Sequence, residues 1–422
     1  MATNVPTDRP KGTVLFLLRR VDCNDGVASH LETLVLGLRE RGWRIVLFTG
    51  PVYEKQSAEG RYNSINNSVF RWIVSDKLNN ILHLWRVIPQ LRGLAEAFHV
   101  TVIHIHGLSL LPYASLLRLL SGRMVIASYL PSAHSEDPNN LKSDKSWLEL
   151  MRYIVALRLF RPDYVIAFSA EVYRFFALSC RLPSRHLEKI LLGVDTRHFR
   201  PPSSAERNAA RAELGLEPQD VAVVLPGRLN WNKGHDLVFS AAQALAQQYP
   251  NVALRYIFPG TGYQAESVKR AAKNSSTDQW RFIFPGYVAD MRQIYFAADI
   301  AVLPSRLEAF PLVVAEAMAC GLPVIRTPSG GFEDQIIDGV NGFGVPFNDD
   351  AALATKIVEL FDLSVRQRMG AAALEHSKKF DSTRMIADTE ALYRSLASKS
   401  RTRKMIVARA PEDDCRPPSQ AM

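Results

Sequence analysis

The 422-residue sequence has only four cysteines, Cys23, Cys180, Cys320 and Cys415. None shares CxxC spacing, and no histidine–cysteine group has zinc-ligand spacing. Neither a disulfide framework nor a structural zinc is expected, and a reducing compartment fits. Asp-x-Asp is missing throughout, although paired acids are the usual way to hold a metal-bridged diphosphate. No stretch approaches the roughly 20 apolar residues of a membrane span. The first apolar run, Val14 to Leu18, is too short for a signal-peptide core, and the segment before it is polar. These absences lead us to expect a cytoplasmic protein with no resident metal or cofactor, at most peripheral at the cytoplasmic membrane face. Zinc-finger, RRM-type and basic-zipper motifs are also absent, so nucleic acid is not an expected partner.

What is present supports a large soluble core. Hydrophobic residues make up 47% and charged residues 22%, ordinary for a globular chain of two or three domains. The net charge of +9 is unevenly placed. Residues 1–200 hold 26 Lys/Arg against 17 Asp/Glu, whereas residues 201–422 hold 25 of each. A basic first half can attract anionic lipid, or it can simply be a solvated surface.

Strand and helix signals alternate twice. Val14–Leu18, Arg44–Phe48, Val100–His106, Met124–Ser128 and Tyr164–Phe168 read as buried strands, with a helix over Val27–Arg41. The pattern breaks at Pro201-Pro202. It then restarts with strands at Val221–Leu225, Ala253–Phe258, Arg281–Phe284, Ile300–Leu303 and Pro323–Arg326. Such alternation predicts two doubly wound parallel sheets, an α/β architecture. The expected organisation is a polar tail (1–12), a first Rossmann-like domain (13–200), a second (201–380), a terminal helix (381–397) and a disordered tail (398–422).

Open α/β sheets bind ligands beyond the carboxyl ends of their strands, so residues that follow strands are the candidates. After Ile300–Leu303 the chain turns at Pro304-Ser305 and enters a helix, with Pro311 expected at its first position. The N–H groups of Phe310, Leu312 and Val313 would then form an anion site at the positive helix end. Glu308 lies in the loop before it and Glu316 on the helix. Two carboxylates beside a phosphate site suit two hydroxyl-bearing rings, a sugar and a ribose. A solvated loop acid and a dipole-favoured helix acid explain them equally well. Glu316 lies among Ala315, Ala317, Met318 and Ala319, where a buried acid needs a partner.

After Val221–Leu225 comes Pro226-Gly227-Arg228, with Lys233-Gly234 close behind. Gly227 allows close backbone approach. Arg228 and Lys233 can neutralise a leaving diphosphate as a metal would, or be a plain basic loop. Phe258-Pro-Gly260-Thr-Gly262-Tyr-Gln-Ala265 matches the GxGxxA form of the dinucleotide fingerprint. Asp278, however, precedes a strand instead of following one, so NAD is not expected. A nucleotide-facing loop and a tight turn both remain open. The backbone around Gly286-Tyr287-Val288 can meet a base edge or simply turn. In the first half, Asp25-Gly26 opens a helix after the first strand, and His106 ends a strand whose face it shares with His104. Gly330-Gly331 permit close approach to a sugar.

Together these motifs resemble glycosyltransferase family four, retaining enzymes of GT-B fold, from about Thr13 to Leu396. The sharpest likeness is Glu308-x7-Glu316 within Glu-Ala-Met-Ala-Cys-Gly-Leu-Pro-Val, preceded by Ala298-Asp299 and Pro304-Ser305. Gly227-Arg228-Leu, Lys233-Gly234, Gly193-Val194-Asp195 and Gly330-Gly331 follow the same pattern. The resemblance implies metal-independent transfer of a sugar from a nucleotide-diphosphate donor to a glycan or lipid-linked acceptor, with UDP slightly favoured over GDP. It implies Glu308 on donor-sugar hydroxyls, Glu316 on the ribose, and Arg228 and Lys233 on the diphosphate, with Gly26 and His106 lining the opposite wall. Gly227, Gly260, Gly262, Val288, Phe310, Leu312 and Val313 would complete the donor site. The family's reaction is thought to be a front-face attack in which the leaving phosphate helps deprotonate the acceptor. A nucleotide-sugar epimerase of the same fold and a non-catalytic nucleotide-sugar-binding protein are the alternatives. The first half departs from the pattern: a single glycine at Gly26, Ser128-Tyr129-Leu130-Pro131 where a histidine is common, and Leu192 where an asparagine is. These departures leave the acceptor unnamed. A segment from Ser146 to Arg161 interleaves Trp147, Leu150, Met151, Ile154, Leu157 and Phe160 with Arg152, Arg158 and Arg161. It suggests either docking on an anionic membrane or an ordinary core-facing helix.

Overall fold

Short runs rich in Val, Ile and Leu are buried on both faces, and such runs pair as parallel strands covered by helices. In a computed structural model the described residues are 10–408, apart from 24–25, 54–58, 80–82, 130–150, 152–153 and 277–279. The first half lays down β1 (Gly12–Leu18), β2 (Val21–Asp22), β3 (Trp43–Thr49), β4 (Val52–Tyr53), β5 (Arg71–Val74), β6 (Val102–His106), β7 (Met124–Tyr129), β8 (Tyr164–Ala167) and β9 (Leu187–Lys189). All but β2 and β4 form one parallel sheet, ordered β5-β3-β1-β6-β7-β8-β9. β2 and β4 pair with each other beyond its carboxyl edge. Every residue of β1 is buried, as the centre of such a sheet requires.

The second half contributes β10 (Val221–Val224), β11 (Leu254–Pro259), β12 (Trp280–Gly286), β13 (Ile300–Leu303), β14 (Val324–Arg326) and β15 (Gly342–Gly344). They form a second parallel sheet, ordered β12-β11-β10-β13-β14-β15. Both orders run outward from a central pair in the doubly wound manner.

Helices cover both sheets. The first half carries α1 (Gly26–Glu40), α2 (Glu59–Ser68), α3 (Leu84–Ala97), α4 (Leu111–Ser121), α5 (154–160) and α6 (Ala170–Arg174). α7 (Ser204–Glu213) opens the second half, where Arg207 and Arg211 grip Asp299 at 2.7 and 3.3 Å. Then come α8 (His235–Gln248), α9 (Ala265–Ser275), α10 (Arg292–Ala297), α11 (Leu312–Ala319), α12 (Phe332–Gln335), α13 (Asp350–Glu359) and α14 (Leu363–Ser377).

The last helix, α15 (Ser382–Ala408), returns to the first sheet. Its Glu390 accepts hydrogen bonds from Lys11, Arg41 and Trp43 at 3.1, 3.2 and 3.2 Å. Ile386 packs so closely on Gly37 that a Cβ there would clash with it. The helix continues past 397, so 398–408, expected to be disordered, is helical. Two Arg and two Lys, with one Met and one Ala, favour a helix in that stretch once its start is anchored. Residues 409–422, Cys415 among them, lie outside the described residues. Cys180 and Cys320 are buried free thiols, and Cys23 is buried.

Candidate active site

In each sheet the strand order reverses once, between β1 and β6 and between β10 and β13. Crevices open beyond the carboxyl ends at such switch points. Asp22 and Gly26 follow β1, His106 ends β6, Gly227–Lys233 follows β10, and Glu308 follows β13. The two crevices face each other, since Arg228 Nη2 donates to Asp22 Oδ2 at 2.8 Å across the gap between the halves.

On the second-domain wall, Lys233 Nζ donates to Glu308 Oε1 at 2.6 Å. The Glu308 side chain is only 10% exposed, which rules out a solvated loop acid. Local packing brings the pair together. Gly234, at φ +78°, ends the turn Trp231–Lys233 and begins α8, and a Cβ there would collide with the Pro304 carbonyl. Arg306 ties the same two loops together. Its N–H donates to Asn232 O at 2.8 Å, and its guanidinium pairs with Asp236 at 2.6 and 2.9 Å.

α11 begins at Leu312, and Pro311 is its N-cap at ψ 110°, one position earlier than expected because that ψ is not helical. The Phe310 and Leu312 side chains belong to the core. Only their backbones can meet a ligand, and no described acceptor takes the N–H of Leu312 or Val313. Glu316 does have the partner its apolar surroundings require, because Tyr295 OH donates to its Oε2 at 2.9 Å. Burial raises the Glu316 pKa above the usual carboxylate range, opposed by the Tyr295 hydrogen bond and by Arg61 across the cleft.

The first-domain wall is a column of imidazoles. His104 and His106 stack with centroids 4.8 Å apart, and His30 of α1 meets His106 at 5.6 Å. Tyr393 of α15 contacts His104 Nδ1 at 2.5 Å. Burial lowers His30 to about 4 and, with His30 nearby, His104 to about 3. Burial and the other two rings push His106 well below its ordinary value. At neutral pH the column is uncharged, and the buried His106 Nε2 has no hydrogen-bond partner among the described residues.

Two family models match, "Glycosyltransferase Family 4" over residues 24–198 and "Glycosyl transferases group 1" over residues 220–362, together about three quarters of the chain. The chain belongs to glycosyltransferase family four. It is 27% identical to EpsD of Bacillus subtilis (strain 168), over 73% of this chain and 80% of that one. It is 34% identical to the D-inositol 3-phosphate glycosyltransferase of Geodermatophilus obscurus over 49% of this chain, a match spanning 47% of that relative's length. Among solved structures, Anabaena Alr3699/HepE in complex with UDP superposes with a TM-score of 0.75 at 19% identity, covering 91% of this chain and all of the other. Sucrose-phosphate synthase from Thermosynechococcus elongatus gives 0.72 at 20% identity, covering 92% and 100%. The enzyme is thus a transferase of GT-B fold.

The other candidate residues have varied surroundings. Gly260 and Gly262 are half-buried, and the side on which a Cβ would project is filled at both. A Cβ at Gly260, where φ is +132°, would strike the Gly227 carbonyl, and one at Gly262 the Leu229 carbonyl. The β11 loop therefore backs the Arg228 loop, with Leu229 N donating to Thr261 O at 3.0 Å. Val288 is partly buried and packs against the core. Gly330-Gly331 are taken up by packing and domain contact. A Cβ at Gly331 would press on Phe310, and its N–H donates to Glu171 of α6 at 3.3 Å. In return Asp334 accepts from Ala170 N at 2.6 Å, so α6 and α12 cap each other across the domains. Gly26 is the exposed first residue of α1, with open space where a Cβ would lie. Asp25, Leu130-Pro131, Trp147, Leu150 and Asp278 lie outside the described residues. Sequence reasoning missed Asp22, Tyr295, His30 and Arg306. His30, three turns short of the helix end on an apolar face, carried the one visible signal, a polar residue at a core position.

Proposed function

We propose that the enzyme is a retaining, metal-independent transferase that moves a sugar from a nucleotide-diphosphate donor, UDP in preference to GDP, to a hydroxyl acceptor on a glycan or lipid-linked glycan. The observation that carries this reading is the meeting of Arg228, Lys233, Glu308 and the free N–H groups of α11 where the two switch points face each other. Two cations and a helix start suit a diphosphate. The Lys233–Glu308 pair can divide when a donor arrives, Lys233 turning to phosphate and Glu308 to sugar hydroxyls. Glu316, positioned by Tyr295, can hold the ribose. The UDP-bound neighbour supports UDP.

In this reading the acceptor hydroxyl attacks from the face the diphosphate leaves. The anomeric C–O bond to phosphate breaks, the bond to the acceptor oxygen forms, and the proton passes to the departing phosphate oxygen. Arg228 and Lys233 stabilise the charge that develops there. The neutral His106 would orient the sugar or the acceptor. Membership in a transferase family favours this over epimerisation or binding alone. The pathway would be glycan, glycolipid or polysaccharide biosynthesis. The enzyme would act in the cytoplasm, at most peripheral at the membrane face; no helix among the described residues is long and apolar enough to cross a membrane.

Thermal unfolding with UDP, GDP, ADP and dTDP in EDTA tests the donor and metal claims together. At about 100 times its dissociation constant a ligand adds about 2.7 kcal/mol. UDP should raise the midpoint clearly and ADP should not. No shift unless a divalent cation is added would contradict metal independence.

A further inference from the structure

β6 turns His104 and His106 to one face of the first sheet, because side chains two apart on a strand share a side. On that face Phe16 of β1 and Ile126 of β7 are each in register with His104. The Phe16 ring lies 5.0 Å from that of His104 and 5.8 Å from that of His106. His30 and His104 are buried, and His106, at the carboxyl end of the strand, is part-exposed. Polar rings at core positions cost stability unless partners take up their hydrogen-bonding groups. Among the described residues both nitrogens of His30, and Nε2 of His104 and of His106, have no such partner. The side chains of the column make a single hydrogen bond among those residues, between His104 Nδ1 and the Tyr393 hydroxyl.

The direction of that bond follows from the groups each choice would orphan. Burial raises the Tyr393 phenol well above its ordinary value, so it keeps its proton, and it leaves His104 neutral. If the phenol O–H donates to Nδ1, only the Nε2–H of His104 goes without a partner. If Nδ1–H donates to the phenol oxygen, the phenol O–H and the Nε2 lone pair both do. The first arrangement costs less. It puts the His104 proton on Nε2 and fixes the ring, against which the His106 ring lies at 16° and 4.8 Å.

Tyr393 is itself held. It is fully buried and meets Trp43 edge-on at 5.5 Å. Three residues earlier on α15, Glu390 accepts from Trp43 Nε1 at 3.2 Å. Residues three apart on a helix share a face, so the anchor that docks α15 also sets the phenol against His104.

We propose that Tyr393 is a positioning residue of the transferase: its hydroxyl fixes His104, and His104 fixes the ring that His106 presents to the cleft. The C-terminal helix thereby supplies part of the first-domain wall. The effect on transfer rests on the reading above, in which His106 meets the sugar or the acceptor; the placement of the rings does not.

Long-range proton–nitrogen NMR spectra of the full chain, made with isotope-labelled histidine, test the placement, with His104→Phe and His106→Ala identifying the signals. The parent should show His104 as a neutral ring protonated at Nε2. Tyr393→Phe should change that signal and move the His106 signal, while those of His235 and His376 stay in place. The variant should keep the melting shift with UDP, which shows that it folds and binds nucleotide. Its transfer from a UDP-sugar should fall by about ten- to a hundredfold. His106→Ala should also lower transfer, and adding Tyr393→Phe to it should cost nothing more, because residues that act through one another are not additive. A His106 signal unmoved by Tyr393→Phe, transfer at the parent rate, or additive losses in the double variant would overturn the proposal. A parent that transfers no sugar would instead contradict the reading of function, and the spectra alone then decide the placement.

Discussion

Arg228 is held 2.8 Å from the Asp22 carboxylate, so an incoming diphosphate must compete with that carboxylate for the guanidinium. The pair is partly exposed, 43% on the arginine side, and such pairs are worth about 0–1 kcal/mol. Asp22→Asn should therefore tighten UDP binding by up to about fivefold in calorimetric titration; unchanged or weaker binding would show that Asp22 does not occupy the phosphate position. Asp22 was invisible in the sequence because nothing in Val-Asp-Cys marks a residue that meets an arginine 206 positions later. Arg228, Lys233, Glu308 and Glu316 drew attention in the sequence because they lie in the loops and the helix that follow β10 and β13. What could not be read was their pairing: Glu308 with Lys233, and Glu316 with Tyr295.

Between elements, the loops after β10, β11 and β12 are stacked by backbone contact. Gly260 N donates to Gly286 O at 2.7 Å, and Gly227 lies against Gly260. Gly260→Ala would force a side chain into a positive-φ conformation and displace the Gly227 carbonyl, and with it the Arg228 loop. A cost of about 1–3 kcal/mol is expected, visible as a lowered melting midpoint together with weaker UDP binding. A variant as stable and as tight-binding as the parent would contradict the stacking. The same motif shows the limit of sequence reading. Glycines at close spacing signalled a constrained loop, but not whether a phosphate or a neighbouring backbone imposes the constraint. Buried strands such as Ile300–Leu303 were recognisable from continuous apolar runs. α2 was not, because Glu59–Ser68 lacks an apolar stripe, and β15 was not, because Gly-Phe-Gly is too short to carry a period.

Across the whole molecule, α15 clasps the first domain through Glu390. Burial disfavours its charge, but hydrogen bonds from Arg394, Trp43, Lys11 and Arg41 outweigh that and hold its pKa at about 2, below the ordinary 4.5. A carboxylate with a depressed folded-state pKa contributes stability that is complete above about pH 4.5 and is lost as pH falls toward 2. Glu390→Gln should lower the melting midpoint at pH 7 and flatten its fall over that acid range; parallel pH curves for parent and variant would show that the clasp carries no linkage. The two domains, so held, place the donor wall opposite the imidazole wall, and the proposed transfer depends on that juxtaposition. The decisive experiment is transfer from a radiolabelled UDP-sugar to a lysate-derived acceptor pool in EDTA, for the parent and Glu308→Ala, with the anomeric configuration of the product determined. Product of retained configuration is expected without added metal, with a loss of about 100-fold or more in the variant at an unchanged melting midpoint. Inverted product, a requirement for a divalent cation, or equal turnover by Glu308→Ala would contradict it.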